Sequence, residues 1–171
     1  MIDAFIIALT VLAFVPMLLE TWLSTTNERR LRAAGAVEPS EDVYPVMQFA
    51  YPLSFVAMIG EAWWRGSALS TVAIAGVIMF GAAKLLKYWA IATLGPRWTF
   101  RVLVPPGSQR TLRGPYVRLR HPNYVGVMGE LIGFAVLAQA PIAGTLAAVI
   151  FAAVLLARIR VEERALGLRS G

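Results

Sequence analysis

Long apolar runs separated by short basic connectors constrain this chain more than any single motif does. Met1 to Leu23 is apolar almost without interruption, with Asp3 at its start and Pro16 inside it. That is enough helix to cross a hydrocarbon core, which takes about 20 residues. No basic segment follows Met1 and no small-x-small cleavage signal precedes Asn27, so we expect this run to be kept as a span rather than removed as a signal peptide. Met47 to Trp64 and Ser67 to Leu94 supply a second and third span. Val125 to Ala138 and Thr145 to Leu156 are shorter and meet at the turn-forming Gln139, Ala140, Pro141 and Gly144, which predicts a helical hairpin. The fold class expected is all-α, one polytopic membrane domain over residues 1–171. Residues 1–94 give three N-terminal spans, and residues 95–171 give a basic connector, the hairpin and a charged C-terminal helix, five spans in all.

Composition agrees. Of 171 residues 58% are hydrophobic and 15% charged, and the mean hydropathy is +0.65, too apolar for an ordinary soluble domain. The net charge of +6 does not point to nucleic acid, because the basic residues alternate with apolar spans and do not cover one continuous face. Anionic membrane lipids are the expected counter-charge. With no cysteine and one histidine, neither a disulfide framework nor a protein-held metal site is expected.

The basic residues also orient the chain. Of 16 Lys+Arg, the connector after the first span holds 3, the connector after the third holds 6 and the C-terminal tail holds 4. Five spans put these three segments on one side, leaving Arg65 opposite. The positive-inside rule then places the N-terminus outside and the C-terminus in the cytoplasm, as in a bacterial inner membrane.

Several local expectations follow. Asn27 caps a short surface helix carrying Glu28, Arg29, Arg30 and Arg32. Glu20 lies at headgroup level beside a basic residue, and Lys84 and Lys87 snorkel to the headgroups. Trp98 to Val104 alternates in a way that suits a short extended segment. Gly129 and Gly133, spaced GxxxG, let the hairpin arms pack closely. On the last helix Arg158 and Glu162 stand four apart, and Arg160 and Glu163 three apart, spacings that suit ion pairs along one face.

The chemistry-bearing stretch is LRGPYVRLRHPNYVGVMGE, Leu112 to Glu130, where a turn-rich basic loop becomes an apolar helix. Pro122 fixes φ at the first helical position and gives up no amide the helix needs. A helix start has free amides and a positive dipole end, which suit an anionic group. The lone His121 therefore sits with Asn123 and Tyr124 at the membrane surface, and the hairpin returns Arg158 to Glu163 to that same surface. His121 by itself reads as a turn residue capping backbone groups, and Glu130 equally as a buried acid paired with an arginine. His121 and Glu130 are the groups of this stretch that could take up a proton.

The elements GPY, RHPNY with a glycine two residues later, and RIRVEERAL resemble the isoprenylcysteine carboxyl methyltransferase family in its short prokaryotic branch, and more distantly the phospholipid methyltransferases. The resemblance is strong from about Leu94 onward; NERRL and GAVE near Asn27 to Glu38 are compatible with it, and the N-terminal half lacks the extra spans of eukaryotic members. It implies an S-adenosylmethionine-dependent methyltransferase embedded in the membrane. Arg110, Thr111, Tyr116, His121, Pro122, Asn123 and Tyr124 fall on cofactor-contacting positions, Glu162 on the acid that holds the cofactor, and Arg158 on the substrate-contacting arginine. Glu130 and Arg158 are the catalytic candidates. The acceptor expected is lipophilic and methylated at oxygen, as a prenylated thioether carboxylate or a phenolic lipid hydroxyl, with a phospholipid amine as an alternative. The rival class is a non-enzymatic lipid-binding or scaffold membrane protein.

Overall fold

In a computed structural model, which describes residues 4–39, 41–107 and 111–165, five α-helices follow one another: α1 (Ala4–Ala33), α2 (Tyr44–Trp64), α3 (Thr71–Leu94), α4 (Pro122–Ala138) and α5 (Pro141–Ala165). The last six residues of the C-terminal helix expected from the sequence, 166–171, lie outside the described residues. Three helical stretches, Ala4–Ala33, Thr71–Arg97 and Pro141–Ala165, are long and apolar enough to cross a membrane. Five helices are present as expected, but only these three qualify as spans among the described residues: α4 has 17 residues, short for a crossing, and α2 carries Gln48, Pro52 and Glu61.

Apolar side chains cover the outside, among them Leu18, Trp22, Phe49, Ile78, Leu85, Val149 and Ile150, all exposed. An all-round apolar surface on helices is the arrangement a lipid solvent allows. Inside, Phe55 stacks edge-on against Phe134 at 4.8 Å, and Phe134 meets Phe80 at 5.8 Å, joining α2, α3 and α4.

The hairpin forms as the sequence predicts. Gln139 takes a left-handed conformation (φ 54°), and only Gln139 and Ala140 separate the end of α4 from Pro141, which starts α5. The free amides of Ile142 and Ala143 donate to Glu61 at 3.2 and 2.6 Å, so a carboxylate on α2 caps α5 from outside.

The glycines act differently from the expectation. A Cβ on Gly133 would lie 2.5 Å from the Phe80 amide nitrogen, and one on Gly129 2.8 Å from the Ala83 Cβ, so the GxxxG stripe lets α4 approach α3 and not its hairpin partner. The close approach to α5 is made by Gly144 against Ala135.

Three polar expectations are corrected. Asn27 does not cap a separate helix; α1 runs on to Ala33, and the buried Asn27 donates from Nδ2 to the carbonyls of Gly95 and Trp98. The buried Ser24 one turn earlier accepts the amide of Phe100 at 2.8 Å, so the helix continues because its polar residues are satisfied by the later connector. Lys87 does not snorkel. It is 2% exposed, 2.6 Å from Glu20 and 3.3 Å from Glu130, while Lys84 lies 2.8 and 3.1 Å from the same two acids. Glu20 has the basic neighbour expected of it, twice over and inside the bundle, while Glu130 pairs with lysines and not with an arginine. Burying each charge alone would cost several kcal/mol, and two acids against two bases remove most of that cost.

The connectors after α1 and α3 meet as the charge distribution requires. Val37 and Val104 exchange both backbone hydrogen bonds in an antiparallel bridge, and Arg101 donates to Glu38 at 2.7 Å. The extended segment expected at Trp98 to Val104 is reduced to that one bridge. The end of α5 joins the same side through Arg158.

Candidate active site

The junction at His121 is where the two halves of the site meet. His121 precedes α4 with no side-chain cap on the helix, and Pro122 is buried as its first residue. Freed from capping, the imidazole stacks on Tyr124 at 5.5 Å with 16° between the planes. Its Nε2 lies 3.3 Å from Glu163 and its Nδ1 3.8 Å from Glu162. Tyr124 donates to Glu162 Oε2 at 2.6 Å. The hairpin has thus brought the lone histidine and the acidic pair of the last helix together, and the exposed Arg120 adds a weaker contact to Glu163 at 3.9 Å.

Arg158 lies one turn before Glu162 and does not pair with it. Its buried guanidinium donates to Asp42, to the carbonyl of Phe100 and, from Nε at 3.2 Å, to Tyr124 Oη. Asp42 in turn accepts the amides of Tyr44 at 3.1 Å and Val102 at 2.9 Å. One buried ion pair therefore pins both connectors to α5 and holds Tyr124 in place.

These groups open onto a cavity of about 420 Å³, within the usual range of ~300–1,000 Å³ for small-molecule sites. Tyr116, His121, Asn123, Tyr124, Glu162 and Arg158 all line it, joined by Arg97, Trp98 and Phe100 from the connector. Trp98 fixes Asn123 by donating to its Oδ1 at 3.3 Å. Burial, and after it the nearby Glu162, raises the Tyr116 hydroxyl pKa well above the ordinary phenol value, so this group is a neutral donor. The opposite wall is apolar, formed by Phe14, Met17 and Leu18 of α1, Met47 and Pro52 of α2 and Phe151 of α5. Tyr51 and Lys87 also line it, and both contact Glu130 deeper along α4 than Tyr124.

Other sequence candidates fall elsewhere. Thr111 lies off the cavity wall and accepts a hydrogen bond from Arg97 at 2.8 Å, Arg110 lies outside the described residues, and Pro122 shapes the helix start without lining the cavity. Glu130 stands behind the wall in contact with Tyr51 and Lys87. Residues the sequence did not single out for the site are Asp42, Arg97, Trp98 and Tyr51. Arg97 is exposed, and among the described residues it has no carboxylate partner, so its charge is available at the rim.

A family model for the isoprenylcysteine carboxyl methyltransferase (ICMT) family matches residues 74–167, which include every site residue of α4 and α5. The chain belongs to this family. It is therefore a membrane methyltransferase by descent, and the sequence resemblance is upheld. Two curated relatives align along most of their length: "Uncharacterized protein YpbQ" of Bacillus subtilis, 33% identical over 156 residues (86% of this chain, 88% of that one), and an "Uncharacterized protein" of Haemophilus influenzae, 26% identical over 145 residues (84% of each). No solved structure matches the chain.

The cavity fits an S-adenosyl cofactor on its own donor set. Glu162 offers a carboxylate to an ammonium or to ribose hydroxyls. Tyr124 and His121 offer ring faces to a sulfonium or an adenine, and Arg97 offers a guanidinium to a carboxylate. The cofactor would supply an activated methyl group.

Proposed function

We propose that this protein transfers a methyl group from S-adenosylmethionine to an oxygen of a lipophilic acceptor. The observation that carries the reading is that Glu162, Tyr124 and His121, linked to one another, open into the same cavity as the apolar wall of Phe14, Met17 and Met47. A polar nucleoside and a hydrocarbon tail can thus share one enclosure, which aligns acceptor and methyl and keeps water out.

In this reading Glu162, His121, Tyr124, Asn123, Tyr116 and Arg97 hold the cofactor end. Arg158 positions Tyr124, since each of its donor nitrogens is already engaged. The acceptor enters between α1 and α2 with its tail along the apolar wall. A carboxylate or a phenolic hydroxyl suits the oxygen assignment. In this reading the chain crosses five times, and the basic connectors support a cofactor end at the cytoplasmic face of a bacterial inner membrane, with the N-terminus outside.

The deciding experiment incubates purified protein with a lipid extract of the source cells and S-adenosylmethionine labelled in its methyl group, then identifies the labelled product. Label on an ether or ester oxygen supports the reading, and label on a headgroup amine replaces the acceptor assignment. No labelled lipid, together with no calorimetric binding of S-adenosylhomocysteine, leaves the lipid-binding scaffold in its place.

A further inference from the structure

The cavity wall at Tyr51 and Lys87 holds more polar chemistry than cofactor binding requires. Tyr51, on the wall, donates its hydroxyl hydrogen to Glu130 Oε2, and Lys87, also on the wall, lies 5.4 Å from the Tyr51 ring centre and 3.3 Å from the same carboxylate. Behind them Lys84 and Glu20 complete the set, so Glu130 belongs to a cluster of two lysines and two glutamates with no net charge. Glu130 is fully buried, and its other oxygen, Oε1, has no hydrogen-bond partner among the described residues. With one of its two oxygens undonated, the carboxylate as a whole is incompletely compensated as an anion, and Oε2 is the oxygen in line with the Tyr51 hydroxyl.

On α4, Glu130 stands six residues beyond Tyr124, with Val127 between them on the cavity wall. Six residues of helix rise ~9 Å. A cofactor held at Tyr124 with its methyl directed along α4 toward Val127 would put the acceptor oxygen within reach of the Tyr51 hydroxyl, which lines the same cavity.

We propose that Tyr51 and Glu130 form the proton path of the reaction: Tyr51 receives the proton of an acceptor hydroxyl while passing its own to Glu130. The proposal rests on the hydroxyl form of the function above. The acceptor O–H bond breaks as the new Tyr51 O–H bond forms, and the original Tyr51 O–H bond breaks as Glu130 Oε2 is protonated. The hydroxyl becomes an oxyanion, and the carboxylate becomes a carboxylic acid. Protonation leaves Lys84 and Lys87 opposed by Glu20 alone, so the excess positive charge, carried by Lys87 on the wall, faces the new oxyanion and stabilises it. The oxyanion then forms its bond to the methyl carbon as the carbon–sulfur bond breaks, and Glu130 returns its proton to water once the cavity empties.

Proton transfer can be read without the cofactor. A long-chain alkyl nitrophenol is bound to the purified full chain in detergent, and its visible phenolate absorption is recorded at a pH where the micellar probe stays protonated. Wild type is expected to hold the probe as phenolate, and Tyr51→Phe and Glu130→Gln to lower the bound phenolate fraction about tenfold, the effect of one pKa unit. Tyr51→Phe keeps all four ion pairs, so it reports even where Glu130→Gln does not fold. An unchanged phenolate fraction in Tyr51→Phe overturns the path. In methyl-transfer assays, the loss in Tyr51→Phe is expected to grow as the phenol becomes less acidic and to vanish for a carboxylate acceptor. Equal loss with every acceptor marks Tyr51 as structural and also overturns it. Failure of wild type to bind S-adenosylhomocysteine removes the proposed function instead, and the absorption measurement still decides the proton path.

Discussion

Tyr124 donates to Glu162 at 2.6 Å, and this bond ties the first turn of α4 to the last turns of α5 across the hairpin. The same carboxylate lies 3.8 Å from His121, whose ring covers Tyr124. Glu162 therefore carries the only carboxylate on the cavity wall among the described residues, and the hydrogen bond orients it. Losing a charged hydrogen bond to a ligand costs ~1.5–3 kcal/mol, or about 10–100-fold in affinity. Glu162→Ala and His121→Ala should each weaken S-adenosylhomocysteine binding by that order while the helical circular dichroism persists. Unchanged affinity in both variants, measured by calorimetry, would remove the site assignment.

The pair Arg158 and Asp42 should govern stability more than binding. Both side chains are nearly inaccessible, at 4% and 3% exposure, so truncating one strands the other's charge. Breaking a buried pair in this way costs ~3–5 kcal/mol. Arg158→Ala should lower the thermal midpoint in detergent sharply, and Arg158→Met combined with Asp42→Asn should recover a good part of the loss. A double variant no more stable than the single would show that the hydrogen bonds to Phe100 and Tyr124, and not the charge pair, set the cost.

The hairpin and the meeting of His121 with Glu162 were legible because both follow from short-range signals: a turn of Gln139 to Pro141, a proline at a helix start and a count of spans. Asp42 was not legible. It sits in a polar string, Glu38 to Tyr44, that reads as solvated, and its partners Arg158 and the Val102 amide are set by tertiary contact alone. The lysine cluster had a readable signal that rules for isolated lysines override. Lys87 lies seven residues from the end of α3 and Glu130 eight from the start of α4, matching depths of ~10–12 Å. Opposite charges at equal depth on adjacent antiparallel helices predict pairing better than snorkelling.

Close approach of α3 and α4 supplies a packing prediction. A methyl group at Gly133 would meet the Phe80 backbone at 2.5 Å, and backbone cannot rotate away as a side chain can. Gly133→Ala should therefore push the helices apart at a cost of ~1–3 kcal/mol and disturb the Glu130 to Lys87 contact one turn away. Gly81→Ala on α3, with nothing among the described residues within 4 Å of its added carbon, is the control and should be neutral or slightly stabilising. Thermal unfolding of the two variants side by side checks the difference.

Glu38 gives the connectors a dependence on pH. Burial works against its charged form, but hydrogen bonds and the charges of Arg32 and Arg101 outweigh it and hold the pKa below the ordinary 4.5. A depressed carboxyl pKa means the folded protein binds the proton more weakly than the unfolded chain, so unfolding takes up protons and the stabilisation is lost as pH falls. The contribution is complete above the unfolded value and disappears as pH drops through the lower, folded one. Because Arg32 and Arg101 are partly exposed, at 47% and 31%, solvent screening limits the effect to ~1 kcal/mol or less. The thermal midpoint of wild type should exceed that of Glu38→Gln at pH 6 and converge with it on acidification toward pH ~3. A gap between the two that is constant over this range would mean that the Val37 to Val104 bridge, and not the ion pairs, holds the connectors together.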